Sequence, residues 1–125
     1  MDNTFPAACR LRNERDIKAV LARRDIFRGR RLIFYRGPMP SQAEAGTGEE
    51  TGAEHRFCLA VSRKCGTAVR RNRIRRLLRE IIRTNRERIP SGYDYIVRVG
   101  QAALVETKIK QDLFIADFNR YFGWD

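Results

Sequence analysis

Residues 62–80 read SRKCGTAVRRNRIRRLLRE, and arginine dominates them. A guanidinium is a planar, permanently charged fork that pairs two-pronged with phosphate and stacks on exposed bases. From Arg63 to Arg88 there are eleven Lys and Arg against only Glu80 and Glu87, a net of +9. Solvated helix faces normally mix signs, because like charges one turn apart repel. Arg75 with Arg79, and Arg79 with Arg83, are such like-charged pairs. A stripe of this kind costs the free protein stability and points to a polyanion that neutralises it, with nucleic acid the first candidate. The whole chain agrees, with 26 Lys and Arg against 15 Asp and Glu, a net charge of +11 and a pI of about 10.6.

Other chemistries find little support. The single histidine, His55, falls at the end of a Gly-rich acidic stretch, Asp94 stands alone in a predicted strand, and Glu80 is surrounded by arginine. No pair of carboxylates has the spacing to hold two metal ions, so neither catalytic nor metal-binding residues are assigned to this chain. Cys9, Cys58 and Cys65 are odd in number and form no C-x-x-C pair, which fits reduced thiols in a cytoplasm rather than disulfides or zinc. No run approaches the ~18 apolar residues of a membrane span, and the start MDNTFPAACR lacks a signal peptide's apolar centre. The 125 residues are 42% hydrophobic, enough for one folded domain over 1–125. Residues 37–55 hold four Glu and no Lys or Arg, and read as a flexible acidic insertion that keeps clear of polyanion-binding surfaces.

The elements that must carry the arginines follow from periodicity. Asn13 caps a predicted helix over Glu14–Arg23, with Ile17, Val20 and Leu21 on one face. Arg30–Arg36 reads as a strand, and Arg56–Ser62 as another with Phe57, Leu59 and Val61 on one face and the small Cys58, Ala60 and Ser62 on the other. Thr67 caps a long helix to about Arg88, in which Ile74, Leu77, Leu78, Ile81 and Ile82 span roughly 140°. Asn72, Arg76, Arg79 and Arg83 fall in an arc of about 60° opposite, free of acid, with Glu80 just beyond its edge. Arg71 points toward the apolar side and stays exposed only through its place near the helix start. Tyr93–Val99 reads as a strand and Glu106–Phe122 as a closing helix with two apolar sets, Ile109, Leu113 and Ala116 or Phe114, Phe118 and Tyr121, either of which could face the core. Trp124 is a core anchor or an exposed terminus. The sum is an α+β domain with one small sheet.

SRKCGTAVRRNRIRRLLRE resembles the signature of the protein subunit of bacterial ribonuclease P, whose centre is an Arg-Asn-Arg triplet, here Arg71-Asn72-Arg73. The likeness extends to the early basic helix, the strand with Phe34-Tyr35, the Ser62-Arg63-Lys64 ending of the next strand and the Pro90-x-Gly92-Tyr93-Asp94-Tyr95 turn. It covers nearly all of the chain apart from 37–55.

The resemblance implies an αβββαβα order with a left-handed βαβ crossover, similar to the second domain of ribosomal protein S-five and contrary to the usual hand. It implies an RNA-binding subunit of the ribonucleoprotein endonuclease that removes the 5′ leader from precursor tRNA. Catalysis there belongs to the RNA subunit, and the Mg²⁺ that the holoenzyme requires is bound mainly by that RNA. Carried over by position, Arg63, Lys64, Arg71, Asn72, Arg73, Arg75, Arg76, Arg79 and Arg83 would grip the catalytic RNA. Ile17, Leu21, Tyr35, Ala60 and Ser62 would line a cleft for the single-stranded leader. Ile17 and Leu21 stand where the family commonly has aromatics, and equally suit a core. The partners implied are the catalytic RNA and precursor tRNA, with no membrane and no obligate protein partner. A ribosomal-type scaffold that binds folded RNA is the alternative. A helix-turn-helix DNA reader fits poorly, because the basic helix lies between two strands with no short helix packed before it.

Overall fold

The computed structural model describes residues 11, 13–39, 55–100 and 111–124. The expected helix α1 spans Glu14–Arg23, and the Asn13 side-chain oxygen accepts from the Arg15 and Asp16 amides at 2.8 and 3.4 Å. Arg24, left-handed at φ 58°, ends it. Next come β1 (Ile26–Arg28), β2 (Leu32–Pro38), β3 (His55–Ala60), a 3₁₀ turn at Arg63–Cys65, α2 (Ala68–Thr84), a 3₁₀ turn at Arg86–Arg88, β4 (Tyr93–Val99) and α3 (Gln111–Phe122). The order is αβββαβα. The sheet runs β1-β2-β4-β3, with the β1–β2 and β2–β4 pairs antiparallel and β3 parallel to β4, the crossover passing through α2.

Several boundaries differ from the sequence reading, for identifiable reasons. Strand β2 begins at Leu32 rather than Arg30, because the Arg30 and Arg31 amides donate to the Asp117 carboxylate instead of to a ladder. Gly37 and Pro38 belong to β2 opposite Asp94 and Tyr93, and His55 opens β3 at 2% exposure. His55 is therefore a buried strand residue and not a loop residue, and of the 37–55 insertion, 40–54 lie outside the described residues. Helix α2 keeps its Thr67 cap, whose hydroxyl accepts from the Arg70 amide at 3.2 Å. It stops at Thr84 because the side chains of Thr84 and Asn85 turn back onto the Glu80 and Ile81 carbonyls at 2.9 and 2.8 Å.

One sheet face carries Leu32, Phe34, Phe57, Tyr95, Val97 and Val99 into a core shared with Ile74, Leu78, Ile81 and Ile82 of α2. The two apolar sets of α3 resolve in favour of the aromatics. Phe114 and Phe118 are fully buried, and Tyr121 stacks on Phe34 at 4.4 Å between ring centres. Ala116 faces solvent, while 106–110 lie outside the described residues. Trp124 is an anchor, stacked on Phe122 at 5.0 Å and donating its indole N–H to the Arg88 carbonyl. Among the described residues, α1 covers part of the other sheet face.

Candidate nucleic-acid interface

The buried isoleucines and leucine of α2 fix which of its residues face outward. Asn72, Arg73, Arg76 and Arg83 are exposed, and Arg71, Arg75 and Arg79 are half-buried; Arg63 and Lys64 are exposed on the 3₁₀ turn before the helix. Arg71, Arg75 and Arg83 each have a partner within the chain. The Arg71 Nε donates to the Gly66 carbonyl at 3.2 Å, which ties it to the helix start. Arg75 donates to the Asn72 side-chain oxygen at 2.9 Å and reaches the Val61 carbonyl at 3.5 Å. Arg83 is ion-paired with Glu80, the acid just beyond the edge of the stripe, so that end of the stripe is partly neutralised. Three residues along a helix is a rotation of about 300°, which leaves the two side chains about 60° apart and within reach. Arg83 holds the Glu80 carboxyl below the usual carboxylate range.

The second basic surface is the sheet face away from the core. Strand register sets its side chains in rows across all four strands. Ile26, Tyr35, Ile96 and Cys58 form one row, and Arg28, Ile33, Arg98 and Ala60 the next. Helix α1 lies over the first row, where Leu11, Val20 and Ile96 make a small core with Ile17, Tyr35 and Cys58 packed against it. Burial there pushes the Cys58 thiol up from its ordinary value. Beside it the second row forms a groove of about 530 Å³, with the exposed Arg98 standing between Ile33 and Ala60, Ser62 at its edge, and Arg28 and Lys64 also lining it. No acid lines it.

Of the expected cleft residues, Ile17 and Tyr35 meet in the small core, Ala60 and Ser62 line the groove, and Leu21 sits on α1 at 42% exposure, outside both. Arg28, Ile33 and Arg98 were missed. Arg98 had a readable signal, as a lone cation on the parity of Ile96, but which residues it joins depends on register between distant strands.

What holds α1 over this face is a three-residue ion network. Arg56 grips the Asp94 carboxylate with both prongs at 2.8 and 2.7 Å and reaches Asp16 of α1 at 3.2 Å. Asp94 is thus not alone. Burial pushes its carboxyl up, while Arg56 opposes that shift. Gly37 permits the close approach of α1: a Cβ there would stand 3.4 Å from the Val20 backbone and 3.2 Å from Arg23. Among the described residues no three His, Cys, Asp or Glu come together as a metal cluster, and no helix is long and apolar enough to cross a membrane.

The model of the family described as Ribonuclease P matches residues 5–121. Named ribonuclease P protein components from Acidothermus cellulolyticus and Brevibacillus brevis are 33% and 30% identical to this chain, over 95% and 83% of it and 89% and 76% of their own length. That of Pelotomaculum thermopropionicum is 61% identical over only 33% of this chain and 37% of its own, and several further relatives are matched over about half their length. The solved RNase P proteins of Thermotoga maritima (TM-score 0.72, 24% identity, 90% of this chain and 94% of that one) and Staphylococcus aureus (0.70, 20%, 90% and 90%) share the fold. An arginine-rich crossover helix, a half-open sheet and a family match spanning nearly the whole chain agree, and the chain belongs to the ribonuclease P protein family.

Proposed function

We propose that this chain is the RNA-binding subunit of a ribonuclease P that removes 5′ leaders from precursor tRNA in the cytoplasm, with two RNA-binding surfaces of different shape. The convex face of α2, with Asn72, Arg73, Arg76 and Arg79 and the neighbouring Arg63 and Lys64, takes the phosphates of the folded catalytic RNA. The groove beside α1 takes the single-stranded leader. Ile33 and Ala60 admit a backbone closely, Arg28, Lys64 and Arg98 meet its phosphates, and Tyr35, half-buried in the adjoining row, offers a base a ring to stack on. The RNA subunit performs hydrolysis and holds the Mg²⁺. This chain's contribution is to bind both RNAs and so to fix the leader relative to the ribozyme.

The observation that carries this reading is the groove: a scaffold for folded RNA needs the basic helix, but not a strand-sized channel whose described lining holds arginine and lysine and no acid. The test is reconstitution with a bacterial ribonuclease P RNA at low Mg²⁺, following cleavage of precursor tRNA. The expected outcome is stimulation, together with tighter binding of precursor than of mature tRNA. RNA binding without stimulated cleavage would overturn the reading in favour of a scaffold.

A further inference from the structure

The turn between β1 and β2 reads Arg28-Gly29-Arg30-Arg31, and it is held with unusual firmness for a turn of like charges. Asp117, on α3 and 2% exposed, accepts three consecutive backbone N–H groups through its carboxylate: Arg30 at 3.1 Å, Arg31 at 2.7 Å and Leu32 at 2.8 Å. The Gly29 amide donates to the Leu32 carbonyl at 2.7 Å, and the Gly100 amide to the Arg31 carbonyl at 2.7 Å, which clamps the turn from the β4 side. A Cβ on Gly29 would stand 2.8 Å from the Asp117 carboxylate, so glycine is what lets the turn seat on it. The turn is thereby fixed at the β1 edge of the sheet, with Arg28 lining the groove and Arg30 exposed two residues further along the turn.

We propose that this turn is a phosphate-binding edge that grips the leader backbone where it leaves the sheet, and that Asp117 is its positioning residue. The inference rests on the reading of the groove as the leader site. A buried carboxylate that neutralises the turn's backbone dipoles and lowers its self-repulsion holds Arg28 and Arg30 ready, so no ordering is left to be done on binding. Among the described residues the bonds given to Asp117 come from main-chain N–H groups, which leaves the guanidiniums of Arg28 and Arg30 to an external anion.

The test uses reconstituted holoenzyme and precursor tRNAs with short and long leaders. Arg28→Ala with Arg30→Ala should weaken long-leader precursor by roughly three- to tenfold at about 0.1 M salt and lower its salt slope by roughly one to two. Short-leader precursor and the affinity for the RNA subunit should not change. Asp117→Asn retains an acceptor for the Arg31 and Leu32 amides but turns an N–H₂ toward that of Arg30. It should give a smaller loss with the same dependence on leader length, whereas a purely structural role would lower all RNA affinities together. Unchanged long-leader binding in the Arg28/Arg30 variant, with Tyr35→Ala still weakening precursor, would overturn this inference alone. If Tyr35→Ala is also without effect, the leader site itself is overturned and the inference with it.

Discussion

At the scale of single residues, the structure separates arginines that an RNA can use from those the chain has already engaged. Arg76 and Arg83 both stand exposed on the outer face of α2, yet Arg83 shares its charge with Glu80. A cation already neutralised gives up less on losing an RNA phosphate. Arg76→Ala should therefore lower the salt slope for the catalytic RNA by about one, and Arg83→Ala by clearly less. Titrating holoenzyme assembly against salt reads both, and equal slopes would show that Glu80 does not hold Arg83 in solution. Tyr35 belongs to the other surface. Removal of its ring should cost precursor tRNA about 1–3 kcal/mol of binding and leave mature tRNA, which has no leader, unaffected. Equal weakening of both in a binding titration would take Tyr35 out of the leader site.

At the scale of elements, α1 matters because its placement decides which half of the sheet is open. Arg56→Ala would leave the Asp94 carboxylate buried without its partner, a cost of roughly 3 kcal/mol, and would unfasten α1. The pH dependence has a definite sign. With Arg56 gone, burial and the nearby Asp16 charge both push Asp94 up, so the native state binds its proton more tightly than the unfolded chain does. The deficit of the variant should thus shrink as pH falls through Asp94's raised native value, measurable as denaturant midpoints down the acid range. A deficit independent of pH would mean that Asp94 is not the group left unpaired. The same scale explains what the sequence disclosed. Helices α1 and α2 and strand β4 were legible, since a cap, a 3.6-residue period or a strand-length run bounded by a turn is written within a few neighbours. The three residues of β1 were not, because only pairing with β2 makes Ile26–Arg28 a strand. The buried face of α3 was undecided while both faces were apolar, and Phe34 across the core settles it by stacking on Tyr121. The arginine face was readable from local period alone. Half of the groove was not, because the row Arg28, Ile33, Arg98, Ala60 draws one residue from each of four strands.

At the scale of the whole molecule, charge is sorted by direction. Asp16, Asp94 and Asp117 serve the fold, binding Arg56 or backbone amides, while Glu14, Asp25 and Glu80 each pair with a neighbouring cation. Among the described residues, the α2 face and the groove carry more cations than acids, and Lys64 belongs to both. It stands on the 3₁₀ turn that leads from β3 into α2, and its side chain closes one side of the groove. A residue at that junction predicts a double phenotype. Lys64→Ala should weaken assembly with the catalytic RNA, as Arg76→Ala does, and should also reduce the preference for precursor over mature tRNA, as Tyr35→Ala does. Each effect should be a few-fold and should fade as salt rises, since a flexible ammonium at the surface contributes mainly through screened attraction. Arg76→Ala should change only assembly, and Tyr35→Ala only the preference. Measured on one holoenzyme preparation, the three variants form a closed comparison. If Lys64→Ala moves only one readout, the two RNA surfaces do not meet at this turn, and the leader does not approach the catalytic RNA by that side of the groove.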